Sequence, residues 1–178
     1  DALLNRMEQI SNNYTKLNYE NLNIHEILNH CKLVAKNSFG TNINFINEYD
    51  PSLPRLFANK NLLIQIIINL LKNATEASQN KSKIKIKTSF NSNKITSFGK
   101  EDIPIHLPLQ IEIIDFGIGI PRQLLSSIFD PFVSSKKEGK GLGLSIVASG
   151  LEEMGAVIDV SSNPGLTNFC MNFPLKKT

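Results

Sequence analysis

Residues 115–143 read DFGIGIPRQLLSSIFDPFVSSKKEGKGLG and carry the strongest structural signal in the chain. Their glycines fall into two groups with an aromatic patch between them: Gly117 and Gly119, then Gly139, Gly141 and Gly143. Glycine lets a ligand approach the backbone closely because it has no side chain. A carboxylate, Asp115, directly precedes the first group. The stretch therefore predicts a nucleotide site.

Asp115 ends a strand-like segment, residues 107–114, which would hold its carboxylate in place. Such a carboxylate can accept a hydrogen bond from an exocyclic amino group, for example that of adenine. The glycines beside it would let a flat ring pass close to the backbone. Asp-X-Gly-X-Gly is also a common turn composition, so the first glycine group alone leaves an ordinary turn open.

The second glycine group lies at the start of a predicted helix over residues 142–154. Free N–H groups and the positive end of the helix dipole suit phosphate there. Lys136 and Lys140 add charge for a polyphosphate. Residues 133–140 are polar and are predicted to form a lid over the nucleotide. A flexible glycine loop with solvated lysines is the open alternative.

A long, mostly apolar helix is predicted from about residue 60 to residue 78, with Asn59 as its cap. Four polar side chains recur along it at helical spacing: Gln65, Asn69, Asn73 and Glu76. This spacing places them on one face, and Lys72 lies beside them. Amide oxygens suit Mg²⁺ when phosphates supply the charge. The stripe indicates a ligand-facing surface, with an ordinary solvated face as the alternative.

The order of helices and strands along the rest of the chain predicts the fold class. Another helix is predicted over residues 24–37, strands over 43–49 and 83–90, and a closing hairpin over 157–173. Helices interspersed with strands in this way predict a two-layer α/β (α+β) sandwich. Its sheet would be mixed and mostly antiparallel, with the helices on one face.

Composition narrows the classes of partner. The chain has 178 residues, of which 41% are hydrophobic and 20% charged, and this suits one globular domain with a core. A net charge of +3 is too small to argue for nucleic acid or a membrane surface. The longest apolar run, residues 62–71, is interrupted by Gln65 and Asn69 and is too short to span a bilayer. We therefore expect neither a nucleic-acid partner nor a membrane partner.

With the stripe and the two glycine groups in this order, the chain resembles the GHKL ATPase superfamily, which includes gyrase, Hsp90, MutL and the histidine kinases. Four segments look like its motifs: residues 69–74 the N box, 115–119 the G1 box, 128–132 the F box and 139–143 the G2 box. The resemblance implies the Bergerat ATP-binding fold, with ATP and Mg²⁺ as cofactors.

The resemblance also implies roles for single residues. Asn73 would ligate Mg²⁺, Asn69 would support the metal or the phosphates, and Lys72 is a weaker phosphate candidate. The other motif residues would hold the nucleotide: Asp115 at adenine, Gly117 and Gly119 beside the ring, and Lys136, Gly139, Gly141, Leu142 and Gly143 around the phosphates.

Gyrase, Hsp90 and MutL carry a Glu one turn before the metal Asn to activate water, whereas this chain has Asn69 there. Together with the F box, this departure implies phosphoryl transfer by a histidine kinase rather than hydrolysis. Three segments resemble NtrB-type nitrogen-regulation sensor kinases: 22–28 (LNIHEIL), 49–54 (YDPSLP) and 129–136 (FDPFVSSK). Such kinases are cytoplasmic, phosphorylate an NtrC-type response regulator and answer to a PII signal protein.

The phosphoacceptor histidine of these kinases lies on a dimerising helical hairpin before the catalytic domain. Residues 1–17 have apolar side chains at helical spacing, and we interpret them as the end of that hairpin and its linker. Residues 18–178 would be the ATP-binding domain. His25 lacks the residues that flank the acceptor, so we interpret it as structural and expect the acceptor before Asp1. This chain alone should bind ATP but show little autophosphorylation.

Two alternatives stay open. The first is a GHKL serine kinase of the anti-sigma type, whose acceptor lies on a separate protein. The helical pattern at the start of the chain argues against it. The second is a non-catalytic ATP-binding switch, and the intact N, G1 and G2 boxes argue against that.

Overall fold

The computed structural model describes residues 19–78, 83–93, 95–98, 103–133 and 141–175. Several predictions concern residues outside these ranges: the helical segment and domain boundary within 1–18, the site residues Lys136 and Gly139, and most of the lid.

Three α-helices occur in the described part of the chain: α1 (Ile24–Ser38), α2 (Lys60–Ala77) and α3 (Gly143–Glu153). Each agrees with its predicted range to within one residue at either end. The side chain of Asn59 accepts a hydrogen bond from the Leu62 N–H, which confirms the predicted cap of α2. None of these helices combines the length and apolar character needed to cross a bilayer.

Nine strands occur in the same residues: β1 (Tyr19–Leu22), β2 (Asn44–Glu48), β3 (Leu56–Asn59), β4 (Lys83–Phe90), β5 (Ile95–Phe98), β6 (Ile103–His106), β7 (Leu109–Asp115), β8 (Val157–Asn163) and β9 (Leu166–Phe173). Five form the main sheet in the order β2-β4-β7-β9-β8. β2 is parallel to β4, and the other neighbours are antiparallel. The predicted mixed, mostly antiparallel sheet is confirmed.

The core lies between the main sheet and the helices. β7 alternates buried and half-buried residues, with Ile111 and Ile113 on the buried face. α2 lies in contact with α1, α3 and β7, and five of its Leu and Ile side chains are completely buried: Leu63, Ile66, Ile67, Leu70 and Leu71. Burying one such side chain contributes roughly 1.5–3 kcal/mol. The predicted two-layer sandwich is therefore confirmed.

A small antiparallel sheet of β1 and β3 was not predicted. Each strand has only four residues, and their pairing joins segments that lie far apart in the sequence. Tyr19 on β1 also donates a hydrogen bond of 3.1 Å to the backbone oxygen of Glu153 at the end of α3. β1 is thus bonded both to β3, which leads into α2, and to the end of α3.

His25 lies in the first turn of α1 and has structural partners. Its Nε2 atom lies 3.0 Å from Thr88 Oγ1, and its ring stacks on Tyr49 with a centroid distance of 4.8 Å. Thr88 Oγ1 also accepts a hydrogen bond from the Asp50 N–H. Burial lowers the pKa of His25, and the nearby Asp50 carboxylate opposes that shift. These contacts support the interpretation of His25 as a structural residue.

Candidate functional site

Asp115 ends β7 and is almost completely buried, with 2% of its surface exposed. Its Oδ1 atom accepts a hydrogen bond of 2.9 Å from the Gly117 N–H. Burial raises the pKa of Asp115, and the Gly117 N–H partly opposes this shift. Gly117 occupies one acceptor position on Oδ1, so Oδ2 keeps its full capacity to accept a hydrogen bond from a ligand.

Two buried hydroxyl side chains lie beside Asp115 that the sequence did not indicate. Thr167 on β9 pairs directly with Asp115 across the sheet, and its Oγ1 atom lies 2.9 Å from Ser162 Oγ on β8. The Ile120 N–H, at the end of the loop that follows β7, donates to Ser162 Oγ at 2.8 Å. No local motif links these positions, because strand pairing alone brings them together.

Gly117 is required by close packing of the protein on itself. A Cβ atom at this position would lie 2.3 Å from the backbone oxygen of Ala77, the last residue of α2. The next residue, Ile118, donates its N–H to that same oxygen at 3.3 Å. The Gly117 oxygen in turn accepts from the Gly165 N–H at 2.9 Å. The backbone at Gly117 is therefore held between the end of α2 and the β8–β9 turn.

Gly119 is required for a different reason. Its φ of +79° lies in the left-handed region, and a Cβ atom there would come within 2.7 Å of the Asn163 oxygen. The two glycines of this group thus let the loop after β7 pass close to other backbone. This is a packing role, in addition to the ligand role that the sequence indicates.

The polar stripe on α2 is accessible, not enclosed. Gln65, Asn69 and Asn73 are half-buried, and Lys72 and Glu76 are exposed. The helix is therefore buried along its Leu and Ile positions and accessible along the stripe. These accessible amide side chains can contact a ligand. Because they are not enclosed in the nucleotide-free protein, they avoid the cost of burying unpaired polar groups.

The start of α3 approaches this stripe. A Cβ atom built on Gly143 would lie 3.9 Å from Asn69 Oδ1, so these two predicted site residues are neighbours. Further along α3, Gly150 packs on Ile66 and Leu62, where a Cβ atom would lie 2.9 Å from each side chain. The small residue on α3 allows the close helix contact that brings Gly143 to Asn69.

The N-terminus of α3 has no side-chain cap in the described residues. The helix begins after Leu142, whose side chain forms no cap. Ser145 lies in the first turn, but its hydroxyl donates a hydrogen bond of 2.9 Å to the Leu142 oxygen. The N–H groups of the first turn and the positive helix end are therefore available to phosphate oxygens.

Gly141 and Phe132 meet at the base of the predicted lid. The Phe132 N–H donates to the Gly141 oxygen at 2.9 Å, and a Cβ atom on Gly141, whose φ is +66°, would lie 2.5 Å from the Phe132 carbonyl carbon. Phe132 itself has a φ of 66° and is 65% exposed. Phe129, in contrast, is partly buried against the core. Of the two F-box aromatics, only Phe129 is a core residue.

The described residues contain no group of three or more His, Cys, Asp or Glu side chains that could hold a metal ion. A cation bound beside α2 would therefore depend on amide oxygens and on oxygens of the ligand. The half-buried side chains of Asn69 and Asn73 fit Mg²⁺ in that way, since this ion commonly keeps waters and takes few protein ligands beside phosphates.

Comparison with known proteins identifies the family of the chain. The family model of histidine kinase-, DNA gyrase B- and HSP90-like ATPases matches residues 58–177. Sensory histidine kinase/phosphatase NtrB of Azospirillum brasilense is 41% identical over 175 residues, which cover 98% of this chain and 44% of that protein. NtrB of Rhodobacter capsulatus is 38% identical over 97% of this chain and 48% of that protein. The chain thus spans a little under half the length of these relatives.

Solved structures show the same fold. The nucleotide-free catalytic domain of histidine kinase ThkA matches with a TM-score of 0.73 at 26% identity, over 89% of this chain and 97% of that one. ThkA in complex with response regulator protein TrrA matches with a TM-score of 0.71 at 25% identity, over 99% of this chain and 49% of that one. Because the family match covers most of the chain, the protein belongs to the histidine kinase-, DNA gyrase B- and HSP90-like ATPase family, whose nucleotide is ATP.

Proposed function

We propose that this chain is the ATP-binding catalytic part of an NtrB-type sensor histidine kinase, which transfers the γ-phosphate of ATP to a histidine on a helical hairpin. The observation that carries the proposal is the extent of the similarity to NtrB. It covers 98% of the chain, whereas the match to the wider ATPase family begins at residue 58. The residues before 58 are therefore also of the NtrB type.

Asp115 and the elements around it would hold the base. Its buried carboxylate accepts the hydrogen bond of the adenine amino group, and Thr167 on the paired strand lies beside it. The loop that contains Gly117 and Gly119 is fixed by its contacts with Ala77 and Asn163. This fixed loop keeps the carboxylate in place before the nucleotide binds, which reduces the ordering cost of binding.

The first turn of α3 would hold the phosphates. The first residue of this turn, Gly143, is a neighbour of Asn69, so its uncapped N–H groups lie close to the stripe on α2. In the proposal, Lys136, Gly139, Gly141 and Leu142 also contribute to phosphate binding, and Lys72, which is exposed, is a weaker phosphate candidate. Phosphoryl transfer needs mainly positioning and neutralisation of charge, and both are within reach of these groups.

Asn73, supported by Asn69, would hold Mg²⁺ beside the phosphates. When bound, the ion neutralises charge on the transferred phosphoryl group. An amide side chain cannot take a proton from water at neutral pH, so Asn69 cannot serve as a general base. Asn69 therefore cannot activate water for ATP hydrolysis, and this favours transfer of the phosphoryl group to another acceptor.

The proposal extends to the partners of the chain. ThkA has been solved in complex with a response regulator protein, and this supports a response regulator as the next phosphate acceptor for the present chain. The similarity to NtrB supports an NtrC-type regulator, a PII signal protein as an upstream partner and a cytoplasmic place of action.

A transfer experiment tests the proposed activity. The chain is mixed with γ-labelled ATP and a separate hairpin fragment from the NtrB of Azospirillum brasilense. We expect acid-labile, alkali-stable label on the hairpin, as phosphohistidine chemistry requires, and almost none on the chain itself. Acid-stable label would indicate a serine kinase instead. Nucleotide binding without any transfer would indicate a non-catalytic switch.

The metal site is tested by Asn73→Asp. The added carboxylate should weaken binding of metal-free ATP roughly fivefold, because a like charge near the phosphates costs about 1 kcal/mol in a wet cleft. Mg²⁺ should remove most of that loss, so the affinity should depend more steeply on the metal concentration. Titration calorimetry at several Mg²⁺ concentrations measures this. Asn37→Asp, an exposed position on α1, is the matched control, and identical metal dependence in both variants would contradict the assignment.

A further inference from the structure

Gly150 lies at a close contact between α3 and α2, in the interior of α3. It is buried, and a Cβ atom built on it would lie 2.9 Å from Ile66 Cδ1 and 2.9 Å from Leu62 Cδ1. Any side chain at this position would therefore have to displace atoms of α2. Glycine is a poor helix former, so its place here has a cost in stability. The nucleotide contacts proposed above do not involve it.

The contact at Gly150 lies on the same faces of the two helices as the proposed metal and phosphate groups. One face of α2 carries four residues at steps of four, three and four: Leu62, Ile66, Asn69 and Asn73. One face of α3 carries three residues at steps of four and three: Gly143, Val147 and Gly150. The apolar end of this contact between α2 and α3 therefore continues into the amides of α2 and the first turn of α3.

The two helices run antiparallel along this contact. Ile66 lies against Gly150, near the end of α3. Asn69, further along α2, is instead a neighbour of Gly143, at the start of α3. The two glycines are seven residues apart, which is about 10 Å along a helix axis. Because side chains at a contact set the distance between packed helices, a larger residue at position 150 would also move Gly143 away from Asn69.

The separation of α2 and α3 decides whether one ligand can reach both. In the proposed site, the first turn of α3 binds the phosphates, and Asn69 and Asn73 on α2 hold the Mg²⁺ that the same phosphates ligate. Mg²⁺ takes its oxygen ligands at about 2.0–2.1 Å in near-ideal octahedral geometry. An ion held between the two helices therefore tolerates little change in their separation.

We propose that Gly150 is a positioning residue for phosphoryl transfer. Because it has no side chain, it lets α3 approach α2 closely enough for the first turn of α3 and the two amides to act on one Mg²⁺–triphosphate. This inference rests on the proposed function. Gly150 does not touch the nucleotide. The proposed base site lies at the end of β7, so a shift of α3 should weaken the hold on the phosphates and the metal and leave the hold on the base.

The test compares the affinities for Mg²⁺-bound ATP and for adenosine, which share the base but differ in the phosphates and the metal. Both are measured by calorimetry, and adenosine is measured by displacement of ATP. Gly150→Ala should fold, because the better helix propensity of alanine offsets the crowding. We expect its preference for Mg²⁺-bound ATP over adenosine to fall up to about tenfold, as the loss of one hydrogen bond to the phosphates would produce. Its affinity for adenosine should not change.

A second substitution should reverse this effect. Ile66→Val removes Cδ1, one of the atoms that the new methyl group would meet. Ile66 is fully enclosed and cannot turn aside, whereas Leu62 is 8% exposed and can. The double variant Gly150→Ala/Ile66→Val should therefore recover most of the preference, and Ile66→Val alone should keep it. Ser149→Ala, the exposed neighbour on α3, is the matched control and should also keep it.

A purely structural role for Gly150 predicts lower stability with an unchanged preference in the folded variant, and that result would overturn the proposal. A loss of preference that Ile66→Val does not reverse would overturn it as well. If Gly150→Ala does not fold, Val147→Ile decides, because it adds one methylene to the same face of α3; an unchanged preference there removes the proposed role. Normal preferences in every variant, with no transfer to the hairpin, would contradict the kinase activity separately, so the two failures are distinguishable.

Discussion

Replacing Asp115 by Asn should weaken ATP binding by about ten- to a hundredfold and should at the same time stabilise the nucleotide-free protein. The loss of affinity follows from the hydrogen bond to the adenine amino group. A bond to a charged acceptor contributes about 1.5–3 kcal/mol, which corresponds to this range of affinity. The Asn side chain retains the size of Asp115 and one oxygen, which Gly117 already engages.

The gain in stability follows from the burial of the carboxylate. Burial raises the pKa of Asp115 in the folded protein, so between the unfolded and folded pKa values the native state binds more protons. Stability must then fall as the pH rises through that interval, and the ionised carboxylate destabilises the fold at neutral pH. Asn carries no charge and removes this cost. Functional sites often carry such a cost in stability.

Calorimetric titration with ATP and thermal unfolding at several pH values measure the two effects. Glu20→Gln, an exposed position on β1, removes the same charge away from the site and should change neither quantity appreciably. The affinity of the unmodified protein for ATP should decline as the pH is lowered through the raised pKa of Asp115, and that of the Asn variant should not. Unchanged ATP affinity in Asp115→Asn would contradict the site.

Gly117→Ala should destabilise the protein by roughly 2–4 kcal/mol. The new methyl group would lie 2.3 Å from the Ala77 oxygen, which is backbone and cannot rotate away. Overpacking costs about 1–3 kcal/mol, and displacement of the hydrogen bond from Ile118 to Ala77 adds about 0.5–1.5 kcal/mol. The displaced backbone at position 117 would shift the rest of the loop after β7, so nucleotide binding should be lost as well.

Gly143→Ala is the matched control for this prediction. Gly143 begins α3, where alanine is a better helix former than glycine, and among the described residues its new methyl group would meet only Asn69 Oδ1, at 3.9 Å. Its stability should be unchanged or slightly raised. Urea unfolding of both variants measures the difference. Equal stabilities for the two would show that contact with Ala77 does not explain the glycine at position 117.

Features with a local cause were predictable from the sequence. The range of α2 follows from its apolar periodicity and from the Asn59 cap, and the β8–β9 hairpin follows from alternation around a turn that contains Gly165. Gly119 and Gly141 have positive φ values, which only a few neighbouring residues determine. The place of Asp115 at the end of a strand and before a glycine loop was also predictable. Its role at the base, like the roles of Asn69 and Asn73, stays a prediction.

Other features depend on contacts between residues that are distant in the sequence. β1 and β3 are short, and their register with each other leaves no periodic signal in either segment. Gly117 looked like a position for a ligand, but its neighbour on one side is the Ala77 carbonyl of the protein itself. The openness of the stripe on α2 likewise depends on where the other elements pack, not on its own composition.

Local patterns of periodicity, capping and glycine placement were thus sufficient for the sandwich, its long helix and the strand end at Asp115, because each pattern extends over only a few residues. The partners of Asp115 were decided only by folding. Strand pairing sets Thr167 opposite it, and the β8–β9 hairpin then places Ser162 next to Thr167. The direction of a hydrogen bond between two buried hydroxyls depends on every neighbouring donor and acceptor, and those neighbours come together only in three dimensions.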